Sequence, residues 1–215
     1  MGDDRFLGVL DAAVAAADES GIPYGIIGGI TSFVMGRARW PTEDIDVFVR
    51  PEDAPTLLEA LGRHGFQTER TDDNWIFKAT RDDIVVDIIF RSEGDIFLDD
   101  DMLARIEEGE YHGRGLKLVP PEDVLVMKAI AHSEMTPRYW HDALGIIGRS
   151  ELDWDYVLRR ARQHGARRVL SLLLYAESND LVVPRPVIES LFETIHRGGS
   201  GEEPWTAPAT SDATT

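Results

Sequence analysis

The residues best placed to do chemistry are three aspartates set in two short apolar runs. The first run is Asp44-Ile45-Asp46-Val47-Phe48-Val49. Successive side chains on a strand point to opposite faces, so Asp44 and Asp46 share one face while Ile45, Val47 and Val49 take the other. Two carboxylates side by side raise the cost of ionising one another. A divalent cation removes that repulsion, and hard oxygen donors suit Mg2+ or Mn2+. The second run, Ile84-Val85-Val86-Asp87-Ile88-Ile89-Phe90, is apolar except for Asp87. A buried carboxylate needs a partner. If the two strands are neighbours, Asp87 completes a three-carboxylate metal site of the kind that clamps the oxygens of an in-line phosphoryl transfer. It could also accept the proton of an attacking hydroxyl. The competing readings are that Asp44 and Asp46 are edge-strand surface residues, and that Asp87 caps a turn or pairs with an arginine.

A second constellation precedes the first aspartates. Gly28-Gly29 closes the short apolar run Tyr24–Ile27 and leads into Ile30–Met35, with Thr31 and Ser32 in the first turn. Paired glycines let a ligand approach the backbone closely, and a helix N-terminus offers free N–H groups to phosphate oxygens. Thr31 or Ser32 would add a hydroxyl. Arg37 and Arg39 lie between this turn and Asp44, within reach of a triphosphate or an acceptor. An ordinary tight turn reads the same way when taken alone.

These groups need a scaffold. The first half alternates helix and strand: a helix over Asp3–Asp18, strands at Tyr24–Ile27 and Asp44–Arg50, and a helix from Pro51 to Gly65. Paired strands follow at Trp75–Ala79 and Ile84–Phe90, then a helix over Leu98–Glu108 and a last strand at Leu116–Val119. From Pro121 the pattern is helical only: Pro121–Glu134, Arg138–Ile147, Trp154–His164, Ala166–Glu177 and Pro186–His196. The expected fold class is α/β (α+β), a mixed-sheet core over residues 1–119 with a helical C-terminal region, 120–197, packed on it. The composition of 198–215 predicts a disordered tail.

The chain has 215 residues, 43% of them hydrophobic and 28% charged, enough for a real core. It has no cysteine, which excludes disulfides and thiolate metal sites. No apolar run approaches a membrane span and the first residues lack a secretory pattern, so a cytoplasmic location is expected. The net charge of −17 disfavours general nucleic-acid binding and favours cationic partners. One basic stretch stands out: Arg159, Arg160, Arg162, Arg167 and Arg168 around His164. It reads as an RNA contact or as a solvated helix face. Trp75, Trp140, Trp154 and Tyr139 read as core residues.

Taken together, GGITSFVMGRARWPTEDIDVFV from Gly28 to Val49, with Asp87 on a later strand, resembles the signature of the DNA polymerase β-like nucleotidyltransferase superfamily. The resemblance implies that Gly28, Gly29 and Thr31 or Ser32 sit at the triphosphate of an NTP. It implies that Asp44 and Asp46 ligate metal, and that Asp87 is third ligand or base. The segment LKLVPPEDVLVMKAIAHSEMTPRYWHDALGII, from Leu116 to Ile147, is similar to the region after the core in AbiEii-type toxin nucleotidyltransferases. There Lys128 and Asp142 match a lysine that would hold NTP phosphates and an aspartate that would orient it or bind the nucleotide. Arg138 and His132 could reach the same site. The alternative is that Lys128 snorkels from a helix surface and pairs with Asp142. Glu122 and Asp123 read as first-turn residues favouring the helix dipole.

Three functions fit this reading. One is nucleotide transfer to RNA, such as a tRNA 3′ end, as the toxin of a toxin–antitoxin pair with an antitoxin protein as partner. Another is transfer to a small molecule such as an aminoglycoside, which an acidic cleft would suit. The third is a nucleotide-binding module that has lost catalysis, against which the presence of all three aspartates argues. Transfer of AMP to a partner toxin fits less well, because the usual GS-x-R-A turn is replaced by Gly-Gly-Ile-Thr-Ser.

Overall fold

A computed structural model describes residues 2–36 and 42–197. Arg37, Arg39 and the segment 198–215, for which a disordered tail was expected, lie outside the described residues. Helix α1 (Gly2–Ser20) leads to β1 (Tyr24–Ile26), α2 (Gly28–Gly36), β2 (Asp44–Val49) and α3 (Ala54–Arg63). Strands β3 (Gln67–Asp72), β4 (Ile76–Arg81) and β5 (Ile84–Ile89) follow. After a single turn, α4 (Asp100–Leu103), come β6 (Glu107–Tyr111) and β7 (Arg114–Leu118). Helices α5 (Pro121–Ala131), α6 (Arg138–Ile147), α7 (Trp154–His164), α8 (Ala166–Glu177) and α9 (Arg185–Arg197) complete the described chain.

The strands form one mixed sheet in the order β3-β4-β5-β2-β1-β7-β6. β2 runs parallel to β5 and antiparallel to β1, and β1 is parallel to β7. Alternation along the strands sorts the side chains to two cores. Ile45, Val47, Val49, Val86 and Ile88 face the cluster that α1 and α3 cover. Phe48, on the face of Asp44 and Asp46, enters a second cluster with Val124, Leu125 and Val126 of α5 and Ile146 of α6. The helices thus cover one end of that sheet face, and the aspartates lie on its other end.

Two sequence expectations need correction. Leu98–Glu108 is not one helix: Asp99 caps the single turn α4 by accepting from the Met102 N–H at 2.9 Å, and the chain then enters β6. A tight turn at His112 and Gly113, both with positive φ, sets this hairpin, so backbone pairing overrides the helical propensity of its glutamates. The polar run Gln67–Asp72 gave no strand signal, yet it pairs with β4 as an exposed edge strand.

One contact ties α2 to the helical half. Gly36 and Gly145 meet backbone to backbone, and a Cβ on Gly145 would lie 2.8 Å from the Gly36 carbonyl oxygen. In a free helix Gly→Ala stabilises by about 1 kcal/mol. Here the added methyl must push α6 off α2, which costs about 1–3 kcal/mol. Gly145→Ala is therefore expected to lower the midpoint of thermal or urea unfolding. An unchanged or raised midpoint would show that the crossing has slack.

Candidate active site

The parallel register of β2 and β5 pairs Asp44 with Val85 and Asp46 with Asp87. Paired residues share a face, so the three carboxylates converge, with oxygens of all three within 4.8 Å of one another. This is the arrangement expected from the sequence: β2 is not an edge strand, and no arginine among the described residues pairs with Asp87. Three oxygen donors at this separation fit a hard divalent cation such as Mg2+ or Mn2+.

The glycine turn closes on Asp46. Gly28 has φ +70°, and a Cβ there would stand 1.7 Å from an Asp46 carboxylate oxygen, so no other residue fits. The Gly29 N–H donates to the same carboxylate. A Cβ on Gly29 would meet the Thr42 hydroxyl, which donates to the Asp44 carbonyl oxygen at 3.0 Å and lies 3.2 Å from Asp44 Oδ1. Thr42 therefore steadies Asp44, a part that sequence reasoning did not assign. Burial first, then repulsion from Asp44 and Asp87, pushes the Asp46 carboxyl up to about 7, against the pull of Lys128 and the Gly29 N–H.

Thr31 and Ser32 do not offer hydroxyls to the cleft, which corrects the expectation for both. They are fully buried, and they donate to the carbonyl oxygens of Ile26 and Gly28, each at 2.8 Å. Hydroxyls early in a helix bond nearby carbonyls in this way when solvent is excluded.

Lys128 and Asp142 meet as the alternative reading had it, but at the cleft rather than on an outer surface. Nζ donates to Asp142 Oδ2 at 2.9 Å, with both side chains less than a tenth exposed. The ammonium lies 5.0 Å from the Tyr139 ring centroid. Asp142 Oδ1 is buried with no hydrogen-bond partner among the described residues. An unpaired buried carboxylate oxygen beside a lysine marks an incomplete polar site.

Asp87 has a partner that the sequence reading missed. Lys78 on β4 donates to Asp87 Oδ1 at 2.6 Å. The signal was present in the hairpin: Asp82 and Asp83, both with positive φ, form a two-residue turn that pairs Arg81 with Ile84 and hence Lys78 with Asp87. Trp75 also departs from expectation. It is 45% exposed and lines the cleft, while Trp140 and Trp154 pack against the second core. Tyr139 lines the cleft as well.

The cleft has a volume of about 880 Å³ and runs from Gly28 and Gly29 past the three aspartates to Lys78, Trp75 and the Arg91–Asp95 loop. Arg138 is on its rim and His132 is not part of its lining. Glu122 and Asp123 serve the fold: Glu122 accepts from the Asp153 N–H, and Asp123 accepts from Arg160 and Tyr156.

A sheet-floored cleft with a glycine-led helix and three convergent aspartates defines an enzyme of nucleotide transfer. Residues 38–178 match the family described as uncharacterised nucleotidyltransferase, and the chain belongs to that family. No curated protein matches the chain. Among solved structures it is similar to the antibiotic-resistance factor ANT(2'')-Ia in solution. That likeness has a TM-score of 0.52 and 19% identity, and it covers 91% of this chain and 99% of the other. It is also similar to crystalline ANT(2'')-Ia in complex with adenylyl-2''-tobramycin. There the TM-score is 0.51 and the identity 17%, over 82% of this chain and 99% of the other. At these identities the likeness is one of fold. Among the described residues no helix is long and apolar enough to cross a membrane.

The raised Asp46 carboxyl has a consequence for stability. In the unfolded chain Asp46 loses its proton at the usual 3.8, and in the metal-free fold only near 7. The folded state holds the extra proton, so its stability falls as pH rises from about 4 to 7, and the whole penalty is present above that. Asp46→Asn keeps the acceptor for Gly29 and removes the charge. In EDTA the variant is expected to melt well above wild type at pH 8 and close to it at pH 4. A difference in Tm that is the same at both pH values would refute the assignment.

Proposed function

We propose that this nucleotidyltransferase moves a nucleoside monophosphate from an NTP to a hydroxyl of a small, amine-bearing acceptor. The observation that carries the transfer reaction is the convergence of Asp44, Asp46 and Asp87 against the Gly28 turn. In this reading the three aspartates hold Mg2+ or Mn2+. The bound metal would neutralise charge on the transferring phosphoryl group and on the attacking and leaving oxygens. The N–H groups at the start of α2 face the triphosphate. Lys128, held by Asp142, supplies a fixed positive charge for phosphate oxygens. Asp87 would ligate the metal or take the acceptor's proton. Arg39 remains a candidate phosphate contact on sequence grounds alone.

The choice of acceptor rests on charge. Glu93 adds to the three aspartates along the cleft, where Arg91 and Asp95 neutralise one another. A polycationic molecule suits such a wall. The basic stretch on α7 is partly committed elsewhere. Arg160 is 2% exposed and bonded to Asp123 and Asp99, Arg159 pairs with Asp101, and Arg162 donates to Ser190 and Thr194. That weighs against an RNA backbone on this helix. Transfer to a tRNA 3′ end by a toxin with a cognate antitoxin, the reading that the AbiEii-type resemblance supports, is the other arm of the test.

The purified protein is incubated with Mg2+ and each α-labelled NTP. Separate reactions hold aminoglycosides, other amine-bearing sugars, total tRNA or no acceptor. Label is expected on a small amine-bearing acceptor. Asp46→Ala should lower transfer by more than about a hundredfold, beyond the effect typical of even an outer partner of a metal ligand. Label on tRNA would overturn the acceptor reading but keep the chemistry. Transfer that survives Asp46→Ala would overturn the site.

A further inference from the structure

The row of side chains across the sheet at the level of Asp46 holds more than the aspartates. Asp46 is paired with Asp87, Asp87 with Lys78, and Lys78 with Glu69 on the edge strand β3. Directly paired residues on adjacent strands share a face, with Cβ atoms about 4.5–5.5 Å apart. Lys78 thus stands between two carboxylates, one in the metal-ligand trio and one on the exposed edge.

The lysines of the cleft differ in freedom. Lys128 is locked between Asp142 and the Tyr139 ring, with 9% of its side chain exposed. Lys78 keeps 38% of its side chain exposed, and the bond to Asp87 is the side chain's one hydrogen bond among the described residues. A lysine stem of this kind swings at little cost. Its ammonium now neutralises Asp87, as a divalent ion between the three carboxylates would.

We propose that Lys78 is a resident counter-cation that exchanges with the divalent ion: it holds Asp87 when the metal is absent and moves to Glu69 when the metal arrives. The idea rests on the metal reading above. The ammonium relieves repulsion among the aspartates when no metal is bound and competes with free metal for Asp87. Glu69 is the landing position that lowers the cost of the exchange. Lys78 and Glu69 are positioning residues acting through Asp87, and no covalent step passes through them.

Mn2+ binding without nucleotide, followed by electron paramagnetic resonance of the free ion, tests the exchange on the full chain. Lys78→Met removes the competitor and is expected to tighten Mn2+ binding about tenfold, as expected for removing a unit positive charge near the ion. Lys78→Arg keeps the charge and should bind as wild type does. Glu69→Gln removes the landing position and should weaken binding about two- to fivefold, the range of an exposed pair. The double variant Lys78→Met/Glu69→Gln should match Lys78→Met, since no ammonium remains to be received. Thermal melting gives a second readout. Without metal Lys78→Met melts below wild type, and saturating Mn2+ closes the gap. Lys78→Gln replaces Lys78→Met if the latter does not fold.

Equal or weaker Mn2+ binding in Lys78→Met, with wild type binding normally, would overturn the exchange and leave the metal site standing. Absence of Mn2+ binding in wild type and in every Lys78 variant would overturn the metal reading itself. A Glu69→Gln effect that persists in the Lys78→Met background would show that Glu69 acts on the ion directly, which would also overturn the exchange.

Discussion

Three like charges held together at one end of a sheet are the constraint around which this protein is arranged. Asp46 and Asp87 are opposite one another because β2 and β5 are parallel in a fixed register, and Asp44 follows two residues earlier on the same face. A register slip of one residue would turn the carboxylates into the α1–α3 core and the valines out. The apolar sets Ile45, Val47, Val49 and Val86, Ile88 prevent that slip, since they are buried on the opposite face. The core thus specifies the site: packing on one side of the sheet holds charge together on the other, where alone it would fly apart.

The surroundings answer that repulsion in graded ways. The Gly29 N–H and the tight Gly28 turn hold Asp46, the Thr42 hydroxyl steadies Asp44, and Lys78 neutralises Asp87. Residual strain remains at Asp46, whose carboxyl is pushed up to about 7 by burial and by the neighbouring carboxylates. A binding site for a cation benefits from leaving that strain in place. On the proposed metal reading, the free energy withheld at Asp46 would be recovered when positive charge enters, so part of the affinity would come from the ordering of the fold rather than from new contacts.

Much of this was legible in the sequence because the relevant signals are short-range. Alternating aspartates and β-branched residues marked β2, a continuous apolar run marked β5, and the lone Asp87 in that run implied a partner. The helices from Arg138 to Glu177 were readable from their apolar spacing and breaks. What was not legible depends on pairing across the chain. β3 has no apolar face, so only its partner β4 makes it a strand. Glu-rich β6 is held by its hairpin against its own helical propensity. Thr31 and Ser32 were read as ligand hydroxyls because the sequence shows residue type but not whether solvent reaches it. Arg160 looked like part of a basic surface, yet it is the buried centre of a network joining α7 to Asp99 and Asp123. A single buried guanidinium is indistinguishable in sequence from its exposed neighbours, because the acids that consume it lie 37 and 61 positions away.

The helical half does more than cover the sheet. Asp142 sits on α6 and Lys128 on α5, and α6 meets the C-terminal end of α2 at the Gly36–Gly145 crossing. The N-terminus of α2 begins at the turn that holds Asp46. One short helix therefore connects the carboxylates at its start with the lysine–aspartate pair through its end, and the contact has no side chain to absorb displacement. Glycine at a helix crossing sacrifices local helix stability, about 1 kcal/mol per position, for a fixed distance between backbones. A flexible crossing would let the lysine charge drift relative to the carboxylates. In the proposed reaction, with a triphosphate between the two, that distance would decide whether a phosphoryl group can lie in line with an attacking hydroxyl.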